Sequence, residues 1–416
     1  MPHDPYLSAQ EAADTLGISV STLYAYVSRG LISSEALGGS GPTRTRRYHE
    51  EDIRRLIERK EQRRDPSRAA AEALYWGAPV LESAITLPAA DTFYYRGYDA
   101  VELARRHTIE EVAVLIWTGE FARGSVLFST PTAPLPPRCA AVMSHLTDMD
   151  PTARLAVVLP LAADDDPAAY DLRPNAVTHT GARMLRFLTT AAVGEQPASG
   201  IAEALGRGWA PGIAEATALL DAALILCADQ ELNVTSFAAR CVASAGASPY
   251  AVVSAGLAAL GGAKHAGRGA RIEALLHEVG TPDRASEVLA GRLRRGEEIP
   301  GFGHPLFPQG DPRGRLLLEL TGAAFPEAPP MLLATAIVEA ARDLLGEHPD
   351  VEIGLVTLAQ TLGLPAGGAS ALFALGRTIG WIGHAMEEYQ ADRIIRPRAR
   401  YIGEHPRTLP QMDIPI

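Results

Sequence analysis

The sequence lacks the features that mark secreted, zinc-binding and membrane-spanning proteins. Its 416 residues include three cysteines, an odd number without CxxC spacing, so neither a disulfide framework nor a zinc site is expected. The N-terminus has no basic segment followed by an apolar one, so no secretory signal is expected. The longest apolar stretch, 216–228, is interrupted by Asp221 and is too short to span a bilayer. We therefore expect a soluble, cytoplasmic protein without a membrane partner or a bound metal.

Aromatic residues are also scarce, at 6% of the chain, and runs of β-branched residues long enough for a strand are few. Ala, Leu and Gly dominate instead, which favours an all-α fold. The net charge of −11 is unevenly distributed, because residues 1–65 hold 10 basic and 10 acidic side chains. The rest of the chain carries the whole acidic excess, which argues against nucleic acid as a ligand of the main body. The neutral N-terminal segment remains a candidate for binding nucleic acid.

The first 65 residues predict a small helical module. Ser8 and Glu11 form a capping box before a first helix, and Ser19 caps a second helix that runs from Val20 to about Arg29. Glycines follow both helices, as is usual where a helix ends. Two short helices joined by a tight turn have the spacing of a helix-turn-helix.

The module also resembles a known DNA-binding domain. The segments YLSAQEAADTLGISVSTLYAYVSRGLI and RRYHEEDI are similar to the helices and the wing of the MerR-type winged helix-turn-helix, with a third helix expected over 50–64. If the module contacts DNA, its second helix and wing offer these candidate donors: Ser21, Thr22, Tyr24, Tyr26, Arg29, Arg46 and Arg47. A dimerisation or docking role fits the same pattern. Since the charge is balanced, one copy would bind DNA weakly and a dimer would be needed.

The rest of the chain predicts a separate helical domain. Residues 1–65 form the first domain, 66–75 are expected to be a linker, and 76–416 form the main body. Helical periodicity recurs through this body with Gly and Pro between segments. The strand-like exceptions lie near 84–87 and 92–95, where a small hairpin is expected.

Two histidines of the body have surroundings that suit ligand binding. His265 lies among small residues in GGAKHAGRG, which leaves its imidazole uncovered, although a packed or surface histidine fits as well. His304 lies in the glycine-rich segment PGFGHPLFPQGDPRG, nine residues before Arg313. Glycines allow the backbone to approach a ligand closely, and arginine offers a two-pronged donor for a carboxylate or phosphate. An ordinary surface turn has the same composition.

Three further charged residues lie in apolar contexts. Glu352 enters an apolar helix in PDVEIGLVTLAQTLGLP, where partial burial would raise its pKa towards that of a general base. A solvated acid in a first helical turn is the alternative. Arg377 and Arg396 lie in segments too apolar for arginines that face solvent. Arginines, histidines and a carboxylate together indicate a polycarboxylate site with proton-transfer groups.

The motifs of the body resemble those of the citrate synthase superfamily. GFGHPLFPQGDPRG is similar to its GxGHxxxxxxDPR signature, and ADQELNVTSFAAR to its DHExNxSTFxAR block. FALGRTIGWIGH with IIRPRARYIG resembles its C-terminal block, and YYRGYDAVELARRHTIEEVAVLIWTGE its N-terminal block. The matches run in order over about 76–405. The resemblance, to a bacterial branch that carries an N-terminal helix-turn-helix, implies a large and a small helical subdomain, the small one at about 266–360, and a homodimer.

The resemblance also implies roles for individual residues in joining acetyl-CoA to oxaloacetate. His265 would donate to the thioester carbonyl, Glu352 would remove the α-proton, and His304 would donate to the keto oxygen of oxaloacetate. Arg396 would reach the site from the partner subunit. The remaining substrate-binding residues would be Gln230, Asn233, Arg313 and Arg377. No metal or redox cofactor is implied, and acetyl-CoA acts as a co-substrate.

Three positions depart from the family pattern. Gln230 replaces a histidine, Glu352 replaces an aspartate, and Ala266 replaces a glycine beside His265. Gln230 cannot carry charge, and the extra methylene at Glu352 shifts the carboxylate by about 1 Å. Three functions follow: a citrate or 2-methylcitrate synthase, a condensing enzyme for another 2-oxo acid, or a DNA-binding regulator whose body senses CoA esters or oxaloacetate.

Overall fold

The chain divides into two compact units in a computed structural model, Met1–Glu82 and Ser83–Ile416. The structure describes residues 6–36, 46–49, 52–53, 56, 81–121, 127–128, 135–194, 200–263 and 267–404. The expected linker at 66–75 and most of the expected helix at 50–64 lie outside these residues. Of that helix, Asp52, Ile53 and Leu56 are described, and they are helical.

The first unit combines two helices with a three-stranded antiparallel sheet of order β1-β3-β2. Its elements are β1 Tyr6–Ser8, α1 Ala9–Leu16, α2 Val20–Ser28, β2 Ser34–Ala36 and β3 Arg46–His49. The predicted capping box is confirmed, since the Glu11 N–H donates to Ser8 Oγ and the Ser8 N–H donates to Glu11 Oε2. The Ser19 cap of α2 is confirmed too. The core that holds the helices against the sheet consists of Ala12, Ala13, Leu16, Leu23, Ile32, Tyr48 and Ile53.

The regular structure of the second unit, as far as it is described, consists of helices, one small sheet and an isolated antiparallel bridge between Phe302 and Pro349. The predicted hairpin is confirmed, with Thr86 opposite Tyr95, and a third strand extends it in the order β4-β5-β6. The strands are β4 Thr86–Pro88, β5 Phe93–Tyr95 and β6 Tyr98–Asp99. The helices are α3 Ala100–Arg106, α4 Ile109–Thr118, α5 Pro137–Met143, α6 Pro151–Asp164, α7 Pro174–Val193, α8 Ile201–Trp209, α9 Ala216–Cys227, α10 Val234–Ser244, α11 Pro249–Leu260, α12 Gly267–Val279, α13 Ala285–Arg294, α14 Pro312–Ala324, α15 Pro329–Leu345, α16 Val351–Thr361 and α17 Gly368–Ala391. Short 3₁₀ turns lie at Pro167–Tyr170 and Pro282–Arg284.

Helix α17 lies at the centre of the second unit and is buried along most of its length. It packs against α9, α10, α11 and α7. Its glycines let α9 approach closely: a Cβ at Gly380 would lie 2.4 Å from the Ala228 carbonyl oxygen, which is too close for any other residue. The Gly380 N–H donates to that same oxygen at 2.9 Å. The segment that follows α9 is therefore fixed against the middle of α17.

Neither a membrane-spanning helix nor a cluster of metal-binding side chains is found in the described part of the chain. None of the helices there is both long and apolar enough to cross a bilayer. No group of three or more His, Cys, Asp or Glu side chains among the described residues could hold a metal ion.

One partly buried carboxyl of the fold, that of Asp221, has a strongly raised pKa. Asp221 on α9 accepts a hydrogen bond from the Ile109 N–H at the start of α4, at 2.9 Å. Burial, with Glu110 and Glu111 nearby, raises the pKa of Asp221 from 3.8 to about 7. The folded chain thus keeps a proton that the unfolded chain releases, so its free energy of unfolding falls as the pH rises towards 7. Above pH 7 this contribution is lost.

Asp221→Asn should therefore stabilise the protein at alkaline pH. The amide retains an oxygen that can accept from Ile109 and removes the charge that burial penalises. We expect the Tm to rise by about 2 °C at pH 8 and to change little at pH 5. Thermal unfolding followed by circular dichroism at both pH values measures the difference, with Asp164→Asn, at an exposed carboxylate, as the control. A fall in Tm at pH 8 would show that the carboxylate is stabilising there.

Candidate active site

The best-defined part of the site is a buried ion pair at the start of α14. Asp311 and Arg313 are both about 1% exposed. The Arg313 Nε and Nη2 atoms donate to the two carboxylate oxygens of Asp311, at 2.9 and 2.7 Å. Burial raises the pKa of Asp311, but the Arg313 charge and hydrogen bonds outweigh that effect and lower it. Asp311 also accepts from the Val351 N–H at 3.0 Å, which ties the start of α16 to the same point.

Gln230 connects this ion pair to His304. The Arg313 Nη1 donates to Gln230 Oε1 at 2.5 Å, and Gln230 Nε2 lies 2.8 Å from His304 Nε2. The guanidinium can only donate, so it fixes the amide with its oxygen towards Arg313 and its NH₂ towards the imidazole. On the other side of the ring, His304 Nδ1 accepts from the Leu306 N–H at 3.2 Å. Gly303, at φ +73°, provides the left-handed turn that precedes the ring.

Arg377 on α17 is the most unusual residue of the cluster, because it is fully buried and only partly hydrogen-bonded. Its Nε donates to the Cys227 carbonyl at 2.8 Å, and its guanidinium lies over the Phe373 ring, 4.6 Å from the centroid. Neither Nη atom has a hydrogen-bond partner within the described chain. Burial lowers the pKa of Arg377. A buried cation with two unused parallel donors is suited to a carboxylate ligand.

Glu352 lies beside an apolar pocket in the first turn of α16. Asp350 caps this helix by accepting from the Glu352 N–H at 2.9 Å. Glu352 is half-buried where it borders this pocket. The other residues around this pocket are Leu260, Gly269, Leu355, Val356, Ala369, Ser370 and Phe373. Since Phe373 contacts both the pocket and Arg377, the carboxylate and the guanidinium belong to neighbouring parts of one site.

The remaining predicted body residues have different positions. Asn233 caps α10, and its Oδ1 accepts from the Thr235 and Ser236 N–H groups, so that oxygen is committed to the helix. Arg396 is exposed in the segment that follows α17. The prediction that Arg396 is shielded from solvent is therefore wrong for a single copy, because its apolar neighbour Ile394 is itself 67% exposed. His265 lies outside the described residues.

Sequence reasoning missed the charged groups behind the cluster. Asp229, Arg240 and His384 are all buried, and none of them was predicted as part of the site. A signal for them was present: GWIGHAMEEYQ places His384 and two glutamates within an apolar helix. Polar residues on the buried face of such a helix require polar partners elsewhere in the fold.

Some of the predicted DNA-contacting residues have exposed side chains, and the others contact neighbouring residues of the first unit. Tyr24 is 54% exposed, and Arg29 is exposed at the end of α2. Arg47 stacks over the Tyr6 ring at 4.1 Å and lies 3.7 Å from Glu35. Three others make local contacts: the Ser21 and Thr22 hydroxyls bond to Ser19, Arg46 to Ser34. Tyr26 is half-buried and packs against the core of the first unit.

Two protein-family models match the chain. The model for the citrate synthase C-terminal domain matches residues 74–398, which is most of the sequence. A helix-turn-helix domain model matches residues 6–61.

Individual relatives agree with this assignment. A citrate synthase of Haloferax volcanii is 29% identical over 377 residues, covering 79% of this chain and 94% of the relative. A 2-methylcitrate synthase of Mycobacterium tuberculosis is 27% identical, covering 78% of this chain and 88% of the relative. Among solved structures, the citrate synthase of Thermoplasma acidophilum, in a ternary complex with carboxymethyl coenzyme A and oxaloacetate, superposes with a TM-score of 0.70 at 20% identity. That superposition covers 82% of this chain and 97% of the other, and it shows a shared fold.

Proposed function

Since the chain belongs to the citrate synthase family, we propose that it condenses acetyl-CoA with oxaloacetate to give citrate and free CoA. It is a citrate synthase-like acyltransferase, and the family needs no cofactor beyond the acyl-CoA substrate. The observation that carries the choice of acceptor is the buried guanidinium of Arg377 with both Nη atoms unused. A dianionic 2-oxo acid offers it a carboxylate, and Arg313 and His304 lie in the same cluster to hold the remaining oxygens.

In the proposed reaction, the Glu352 carboxylate removes a proton from the methyl carbon of acetyl-CoA. The carbanion equivalent forms a carbon–carbon bond to the keto carbon of oxaloacetate, and the keto oxygen takes a proton from His304. His265 would donate to the thioester oxygen as negative charge develops there. Water then cleaves the thioester of the condensed product, which releases CoA and citrate.

Arg377 and Arg313 have different parts in this scheme. The two parallel donors of Arg377 would grip one carboxylate directly. Arg313 already bonds to Asp311 and Gln230, so it would act mainly by holding Gln230 and lending positive charge. The amide NH₂ group of Asn233 is available to the substrate while its oxygen caps α10. We further propose a homodimer, in which Arg396 of the partner subunit completes the site.

We propose domain boundaries at 1–65, 66–75 and 76–416, with 266–360 as a smaller subdomain.

Mass spectrometry of the products from the full-length chain with oxaloacetate tests the acyl donor. Acetyl-CoA should give citrate faster than propionyl-CoA gives 2-methylcitrate. The reverse order would favour a 2-methylcitrate synthase.

Gln230 is expected to determine how well the chain holds its acceptor. Its amide lies 2.8 Å from His304 Nε2, so a keto oxygen can bond to that nitrogen only when this contact opens. Gln230→His with Glu352→Asp restores the family pattern, and we expect kcat/KM for oxaloacetate to rise about tenfold. Steady-state kinetics of both single variants and the double variant measure it. A fall in activity would instead show that Gln230 and Glu352 suit a different 2-oxo acid.

A second function, DNA binding, is favoured by the N-terminal helix-turn-helix domain. We propose that a dimer presents two copies of α2 and β3 to DNA, with exposed Arg29 and Arg46 near the phosphates. Binding to the DNA upstream of its own coding sequence should weaken steeply with salt, and Arg46→Ala should reduce the slope of log K against log salt by about one per copy. Fluorescence anisotropy over a salt series measures both effects. Binding that is insensitive to salt would count against this function.

A further inference from the structure

A buried network of charged side chains lies behind the proposed acceptor site. His384 Nε2 is 3.2 Å from Asp229 Oδ1, and Thr86 donates to Asp229 Oδ2 at 2.6 Å. On the other side of the imidazole, Nδ1 faces Glu387 Oε2 at 3.6 Å and Arg240 Nη1 at 3.5 Å. Asp229 and His384 are both 0% exposed, so the centre of this network is closed to solvent.

A second layer of contacts ties the network to α10 and to the segment before the hairpin. Arg240 on α10 bonds to Glu388 at 2.6 Å and to Glu387 at 3.2 Å. Glu387 also accepts from the Ala84 N–H at 2.8 Å, next to the hairpin. The network thus joins α10, α17 and the segments before α10 and before β4.

The charges of this network place a cation opposite Asp229. Both ring nitrogens of His384 face carboxylate oxygens, which favours the protonated imidazole. Burial lowers the pKa of His384, but the Asp229 and Glu387 carboxylates outweigh that effect and raise it to about 9. The Asp229 charge also favours the protonated form of Arg377. Asp229 therefore stabilises two buried cations at once.

Asp229 and His384 are each connected through the backbone to a residue of the proposed site. Asp229 directly precedes Gln230, and the Tyr95 hydroxyl accepts from the Asp229 N–H at 3.1 Å. His384 lies two turns after Arg377 on α17, so both face α9 and the segment that follows it. A shift of Asp229 relative to His384 would move Gln230 relative to Arg377.

We propose that Asp229 and His384 are positioning residues, which fix Gln230 and Arg377 at the separation that the acceptor acid requires. The inference rests on the proposed function, because the acceptor is the 2-oxo acid named there. Ion pairs this deeply buried add little net stability compared with apolar packing. The effect to measure is therefore the position of Gln230 and Arg377 and not the stability of the fold. Displacing a binding group by about 1 Å weakens its contribution by orders of magnitude.

Binding measurements on the full-length chain separate positioning from plain stability. His384→Gln should raise the Kd for oxaloacetate, measured by calorimetry, about tenfold or more, and leave the Kd for acetyl-CoA within twofold. Asp229→Asn, which keeps the shape and one acceptor oxygen, is the second variant and should act in the same direction. Tyr250→Phe is the control, because it also removes a hydrogen bond from a buried side chain to a carboxylate, that of Asp166.

Hydrogen–deuterium exchange gives an independent readout of position. Residues 228–233 should exchange faster in both variants and at the wild-type rate in Tyr250→Phe. Unchanged exchange, or equal weakening of both substrates, would overturn the positioning role. If the wild-type chain binds no 2-oxo acid, both proposals fail. Equal oxaloacetate binding by the wild type and both variants overturns only this one.

Discussion

Replacing Arg377 with methionine should lower kcat/KM for oxaloacetate by about 100- to 10,000-fold and leave the protein at least as stable as before. Two charge-assisted hydrogen bonds to a carboxylate, each contributing about 1.5–3 kcal/mol, account for a loss of that size. Steady-state kinetics under saturating acetyl-CoA measure it. The variant also loses the bond to Cys227, which contributes about 1 kcal/mol.

The stability of the same variant is the more specific half of this prediction. Arg377 is a fully buried cation whose Nη atoms have no hydrogen-bond partner within the described chain. Removing such a charge in favour of an apolar side chain of similar length should hold the Tm or raise it by about 1–3 °C. A binding site can lower the stability of the fold that carries it. Removing its key residue then lowers activity and raises stability.

Two controls accompany Arg377→Met. Arg377→Lys keeps the charge without the two-pronged donor and should lose less activity than methionine does. Arg342→Met removes an arginine from the surface of α15 and should change neither activity nor Tm. An Arg377→Met enzyme with activity within tenfold of the wild type would exclude this guanidinium as the carboxylate anchor.

Glu352→Gln should lower kcat by about 100- to 10,000-fold with little change in the KM for either substrate. The amide has nearly the same shape and keeps the half-buried position beside the apolar pocket, but it cannot accept a proton. The Asp350 cap uses the Glu352 backbone N–H, so α16 should begin at the same residue in the variant.

Proton exchange isolates the step that Glu352 is proposed to perform. In D₂O, the wild-type chain with an unreactive oxaloacetate analogue should exchange the methyl protons of acetyl-CoA, as seen by NMR, and Glu352→Gln should not. Glu319→Gln, at an exposed ion pair with Arg105, serves as the matched control. Exchange at the wild-type rate in Glu352→Gln would assign proton removal to another group.

Local features of the fold could be predicted because short segments determine them. The Ser8–Glu11 capping box and the Ser19 cap depend on residues three apart, and both are confirmed. The apolar surroundings of Arg377 predicted a buried arginine correctly. The same reasoning was wrong for Arg396 in a single copy, since its neighbours extend into solvent rather than into a core.

Contacts between distant residues could not be predicted in this way. Gln230 meets His304 and Arg313 across 74 and 83 residues, and Asp229 meets His384 across 155. Which of these side chains touch depends on how α9 packs against α14 and α17. Helical periodicity predicts that these helices are buried but not the register between them. The motifs indicated which residues share a site, and the structure was needed to show that Gln230 bridges two of them.

Release of free thiol from acetyl-CoA in the presence of oxaloacetate tests the central claim most directly. We predict release by the purified full-length chain that requires both substrates, and none from acetyl-CoA alone. Absence of release with oxaloacetate and with every other 2-oxo acid in a panel would contradict the assignment as a condensing enzyme.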